Sequence, residues 1–173
     1  MRHTNRDIKD SQDACQARYA DQRESVHHAL VVGTAFPWVP LSRLHLDKFY
    51  SDLIESIIGA IFVDSNGNFA TCEAFLERIG FVSYLKRVLA DGVDMQHPKS
   101  VLGQLAGTET VSYKDEVVLK KSDDTTEKRY SCVVTVGELE VAVVKDCLAK
   151  EEAVWTAAVE AARYLRQMPK QGT

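Results

Sequence analysis

"RYSCVVTVGELEVAVVKDCLAKEEAVW", Arg129 to Trp155, decides the fold of the second half of the chain. "RYSCVVTVG" and "LEVAVVKDCL" are rich in valine and other strand formers, and they meet across Gly137 and Glu138, a tight-hairpin signal. After them the period changes. Ala153, Ala157, Ala158, Ala161, Tyr164 and Leu165 recur at helical spacing, which predicts a last helix from about Ala149 to Arg166 with those residues inward.

Working outward, "VSYKDEVVLK" supplies a third strand, joined to the second by the charged hairpin connection "KKSDDTTEKR". Pro98 opens a short helix, "PKSVLGQLAG". The order α-β-β-β-α predicts an α+β module over 97–168, an antiparallel sheet with two helices on one face. The turn-rich "ADGVDMQHP" marks its boundary with an all-α domain over 1–92. There, a first helix starts at Thr4 or Asn5 and stops at Gly33, with Ile8, Cys15, Tyr19, Val26 and Leu30 as a narrow apolar seam. "GTAFPWVPLSRLHLD" reads as an ordered connector with one short helix. Asn68 caps a helix through Arg78, and another covers Val82 to Leu89.

Between them, "KFYSDLIESIIGAIFVDS" from Lys48 to Ser65 has an apolar stripe at Tyr50, Leu53, Ile54, Ile57, Ile58, Ile61 and Phe62. Asp52 and Glu55 fall nearly opposite it, among the small residues Ser56, Gly59, Ala60 and Val63. That pattern predicts a second packed interface, where unpaired negative charge is expensive. Two cations could answer it: Lys48, one turn earlier, or a metal ion.

The 173 residues allow one domain or two small ones, and a net charge of −4 excludes a uniformly basic surface. The four cysteines are widely spaced and read as free thiols of a reducing compartment. A polar amino terminus and the lack of a long apolar run predict no membrane association and a cytoplasmic or nuclear protein.

Lys48, Asp52, Glu55, Ser56, Gly59, Ala60 and Asp64 resemble, in register, the second signature helix of the RNase III domain. The module that begins at "HPK" resembles the double-stranded RNA-binding domain that often follows it. "CEAFLERIGFVSYLKRVLADGVD" is similar to the carboxy-terminal region of fungal Dicer-like proteins. The resemblance implies an RNase III-type endoribonuclease of RNA silencing that hydrolyses double-stranded RNA with Mg2+ or Mn2+. It makes Asp52 and Glu55 metal ligands and Lys48 a cationic neighbour of the same centre. It also implies double-stranded RNA and a second RNase III domain as partners. RNA-binding candidates are Lys150, at the start of the last helix, and the hairpin cluster Lys120, Lys121, Lys128 and Arg129.

Two departures qualify that expectation. The family's other acidic helix, E-x-x-x-D, has no match, so the chain is expected to hold half of a metal site and to be inactive alone, either as a piece of a longer protein or as a degenerate relative. Glu151 and Val154 stand where the family has lysines, and residues 98–170 carry eleven Lys and Arg against twelve Asp and Glu. The alternative reading is a non-catalytic module that binds RNA or protein.

Overall fold

Ten elements follow from these patterns in the computed structural model, which describes residues 5–44, 48–122 and 125–168; the side chains at 5–8, 11, 48, 49, 121, 122, 125 and 126 lie outside that description. The helices of the first half are α1 (Asn5–Val32), α2 (Trp38–Ser42), α3 (Lys48–Asp64), α4 (Phe69–Arg78) and α5 (Phe81–Asp91). Then come α6 (Pro98–Ala106), β1 (Val111–Ser122), β2 (Thr125–Val136), β3 (Leu139–Cys147) and α7 (Lys150–Gln167). Packing divides the chain into two units, one of Met1–Pro37 with Leu44–Met95, the other of Trp38–Arg43 with Gln96–Thr173.

In the first unit, Cys15 and Val26 of α1 are buried, together with Leu44, Cys72 and Val93. The predicted seam is shorter than its spacing implies: Tyr19 is exposed, and the Ile8 side chain lies outside the described residues. No basic residue occupies the last turn of α1. Arg87 of α5 supplies the missing donor, its Nη1 reaching the Leu30 carbonyl at 2.7 Å and its Nη2 the Gly33 carbonyl at 2.6 Å. A guanidinium there satisfies carbonyls that have no helical partner and complements the negative helix end. Asn68 caps α4 by accepting from the Ala70 N–H at 2.9 Å, and α5 ends at Gly92, whose φ of 63° suits a glycine.

The second unit is a three-stranded antiparallel sheet, order β1-β2-β3, with α6 and α7 packed on one face. Cys132, Val134 and Val136 of β2 point inward with Val141, Ala142, Val144 and Cys147 of β3. On α7, Ala153, Ala157, Ala158 and Ala161 are fully buried, and their small side chains bring the helix axis close to the sheet. Tyr164, expected inside, is 40% exposed. Ala162 takes an inward place instead, beside the expected Leu165, because the stripe drifts as it climbs the helix.

Two clusters fasten this unit. Trp38 of α2, His97 and Trp155 of α7 meet edge to face, with centroids 4.7, 5.7 and 5.0 Å apart. Glu152, only 6% exposed, accepts from Arg43 Nε at 2.7 Å and from the Leu148 N–H at 2.8 Å. One carboxylate thus satisfies a backbone donor ahead of α7 and holds the segment that carries α2. His97 also caps α6, its Nδ1 accepting from the Lys99 N–H at 3.3 Å. Burial, with Lys99 nearby, pushes the His97 pKa down.

Replacing Glu152 with alanine strips both donors and is expected to cost about 2 kcal/mol in denaturant unfolding. Glu152→Gln, which keeps an acceptor for Leu148, is expected to cost less. His97 is held neutral in the fold, so its contribution is present above its ordinary value of 6.5 and fades as pH falls from there through its lowered folded value. Melting temperature should fall over that window, and His97→Asn, a cap that does not titrate, should flatten the dependence.

Candidate nucleic-acid interface

Each cation named for RNA contact starts from a defined place in the second unit. Lys150 is the first residue of α7 and is exposed. Its Nζ lies 2.8 Å from Asp115 Oδ2 of β1. That contact holds the Asp115 carboxyl below the usual carboxylate range and raises the Lys150 ammonium. Glu151 and Glu152 occupy the same first turn, so carboxylates already answer the positive end of the helix. Val154, where the resemblance expects a lysine, is buried in the core, so that position faces the sheet and not solvent.

The hairpin cluster is also balanced from within. Lys120 Nζ is 2.6 Å from Asp146 Oδ1, which lowers the Asp146 pKa. Arg129 Nη2 is 2.6 Å from Glu127 Oε2, two residues back on the same strand face. Arg129 Nε lies 3.9 Å from Asp146, too far for a hydrogen bond, so that attraction is electrostatic only. Lys128 is exposed, and the Lys121 side chain lies outside the described residues.

Register separates these groups. Asp115, which holds Lys150, pairs with the inward-facing Cys132, whereas Lys120 pairs with Glu127 and Val118 with Arg129 on the opposite face. Five residues of strand also part Asp115 from Lys120, about 17 Å at about 3.4 Å per residue. The structure therefore brings Lys120 and Arg129 together around Asp146 and leaves Lys150 apart. Asp146 reaches this place because β3 bulges between its partners of Tyr130 and Cys132, where Asp146 takes a φ of 66°. Aspartate tolerates that left-handed conformation better than most residues.

On α3, Asp52 and Glu55 are one turn apart and both exposed, as are Ser56, Gly59, Ala60 and Val63. Among the described residues the packed second interface expected from their small neighbours is not present: a Cβ added at Gly59 would meet nothing within 4 Å. Ser56 Oγ donates back to the Asp52 carbonyl at 2.6 Å, a local bond common for a helical serine. The Lys48 side chain lies outside the described residues. Among the described residues no three His, Cys, Asp or Glu side chains converge as a metal-binding group. Two hard carboxylates in one helical turn suit Mg2+ or Mn2+ in kind, and fall short of a full shell in number.

Sequence reasoning missed the partners that neutralise the cations. The Glu127–Arg129 pair was readable from spacing, since residues two apart share a strand face. Asp115–Lys150 and Lys120–Asp146 join residues distant in sequence, and only register brings them together.

Residues 91–172 match the family described as Dicer-like protein 2, dsRNA binding domain. The chain is 44% identical over 165 residues to Dicer-like protein 2 of Aspergillus fumigatus, covering 95% of this chain and 12% of that protein. It is 37% identical over 167 residues to the Aspergillus oryzae protein of the same name, covering 96% and 12%. Over 167 residues it is 41% identical to Dicer-like protein 2 of Cryphonectria parasitica, covering 96% and 11%. The chain thus spans about one-eighth of the length of these relatives. No solved structure matches it. Among the described residues no helix is long and apolar enough to cross a membrane.

Proposed function

We propose, for a chain whose residues 91–172 match the double-stranded-RNA-binding domain of Dicer-like protein 2, that its second unit binds duplex RNA within a Dicer-type endoribonuclease of RNA silencing. The single observation that carries this reading is the match of the whole α-β-β-β-α module to that family. A-form RNA is read by shape, through phosphates and 2′-hydroxyls, so the module needs exposed cations more than base-specific groups. Here those cations are partly spent on their own carboxylates. Each intramolecular pair must open or be shared before a phosphate can take its place.

The α3 carboxylates belong to the same proposal. Asp52 and Glu55 would hold Mg2+ or Mn2+ together with acidic residues supplied from outside this chain, and Lys48 would stand near the same centre. When bound, the metal activates water and stabilises charge on the departing oxygen of an RNA phosphodiester. The chain's own residues contribute oxygen donors on one exposed helical face. A second RNase III domain is the partner this reading assigns to the first unit. A non-catalytic module is the second reading. It is favoured by the ion pairs at Lys150, Lys120 and Arg129, which leave the surface nearly neutral.

Titration with a long RNA duplex at two salt concentrations tests the binding. Modest affinity with a shallow salt dependence is expected, and Asp115→Asn, which releases Lys150, should tighten it by roughly threefold to tenfold. Absence of duplex binding by both forms would leave the protein-binding reading in its place. For α3, Asp52→Ala and Glu55→Ala are to be placed in a chain extended to carry an E-x-x-x-D helix. Metal-dependent cleavage should fall by roughly two orders of magnitude or more in each. Undiminished cleavage by both would remove the metal assignment.

A further inference from the structure

In the second unit β1 pairs with β2 on one side, and among the described residues its other edge carries no strand. An open edge is a row of unpaired backbone donors and acceptors, a ready template for another strand. Along the middle of that edge, Val117, Val118 and Leu119 are 54%, 51% and 58% exposed. In a sheet covered on one face, alternate residues would be buried; three exposed in a row means that the β1–β2 hairpin runs past its helices. Apolar side chains are therefore uncovered on both faces beside a free edge.

Charge fixes what fits there. Glu116 and Lys120 lie two residues either side of Val118, on the same sheet face. A two-fold axis through Val118, perpendicular to the sheet, sets the Lys120 of a second copy opposite Glu116 and its Glu116 opposite Lys120. The same operation sets Val117 opposite Leu119 on the other face. Nearby registers are poorer. Centring on Glu116 opposes two carboxylates, and centring on Val117 opposes Lys114 and Lys120, each a like-charge pair. Centring on Leu119 opposes Lys120 to Val118 and gains no ion pair.

We propose that a second copy of this chain pairs antiparallel along β1, centred on Val118, to form one continuous six-stranded sheet. The pairing uses neither α6 nor α7 and goes beyond the RNA-binding reading, sharing with it only Lys120 of the hairpin cluster. The ion pairs that Glu116 and Lys120 already make, to Lys114 at 3.3 Å and Asp146 at 2.6 Å, are solvent-exposed. Exchanging or sharing such pairs is cheap.

Sedimentation equilibrium of the whole chain over a range of concentrations is the test. A monomer–dimer equilibrium is expected, and Val118→Lys, a change at an exposed position, should raise its dissociation constant by roughly tenfold or more. Glu116→Lys and Lys120→Glu should each weaken the dimer, and the two changes in one chain should restore it. That reciprocal rescue is a readout that general destabilisation does not produce. A chain that is monomeric at every concentration overturns the proposal. So does a dimer indifferent to Val118→Lys and to both charge changes, which would place assembly on another surface, such as the exposed Phe69 and Leu89 of the first unit.

Discussion

The second unit depends on a carboxylate that is almost wholly out of water. Glu152 has 6% of its surface exposed, and a carboxylate so placed is tolerable only because Arg43 and the Leu148 N–H both donate to it. Those two donors come from different parts of the chain. One belongs to the connector after α2, the other to the turn from β3 into α7. Sheet, helix and connector therefore meet at one group, and the nearby edge-to-face cluster of Trp38, His97 and Trp155 fills the apolar space beside it.

The electrostatics of the module follow a second constraint, which is strand register. Within β1 and β2, residues of opposite charge fall on one face beside each other, as at Lys114 and Glu116 or Glu127 and Arg129. The bulge in β3 turns Asp146 toward Lys120 and Arg129. The result is a surface whose cations are matched locally and whose net charge is close to neutral. Such self-matching leaves fewer counterions to be released when a polyanion approaches this surface.

Much of this architecture was legible in the sequence, for reasons that differ between elements. The cap at Asn68, the helix-opening Pro98, the hairpin at Gly137 and the alanine stripe of α7 are local signals, and the structure has an element at each. The α1 seam and Tyr164 were overread, because periodicity says which residues share a face but not how far a neighbour covers it. β3 resisted reading for another reason. The bulge between its partners of Val134 and Thr135 places Val141 and Ala142 both inside, so its burial does not alternate. The neutralising partners of Lys150 and Lys120 were invisible, since nothing local couples residues that far apart along the chain. At α3 the pairing of Asp52 with Glu55 in one turn was legible, but the expected packing around them was not found.

The membership of Trp38–Arg43 in the second unit bears on how the chain is made. The first unit's sequence is interrupted by a piece whose own partners lie much later, Arg43 and Glu152 being 109 positions apart. During vectorial synthesis at about 5–20 residues per second, α2 emerges roughly five to twenty seconds before the helix that receives it. Through that interval Trp38 has neither His97 nor Trp155 to pack against. Closing so long a loop late carries an entropic cost that grows only logarithmically with length, so the equilibrium suffers little. The kinetics suffer more, because contacts of high sequence separation form slowly. A nascent chain of this design exposes an indole and two prolines, Pro37 and Pro40, at the stage when chaperones meet it.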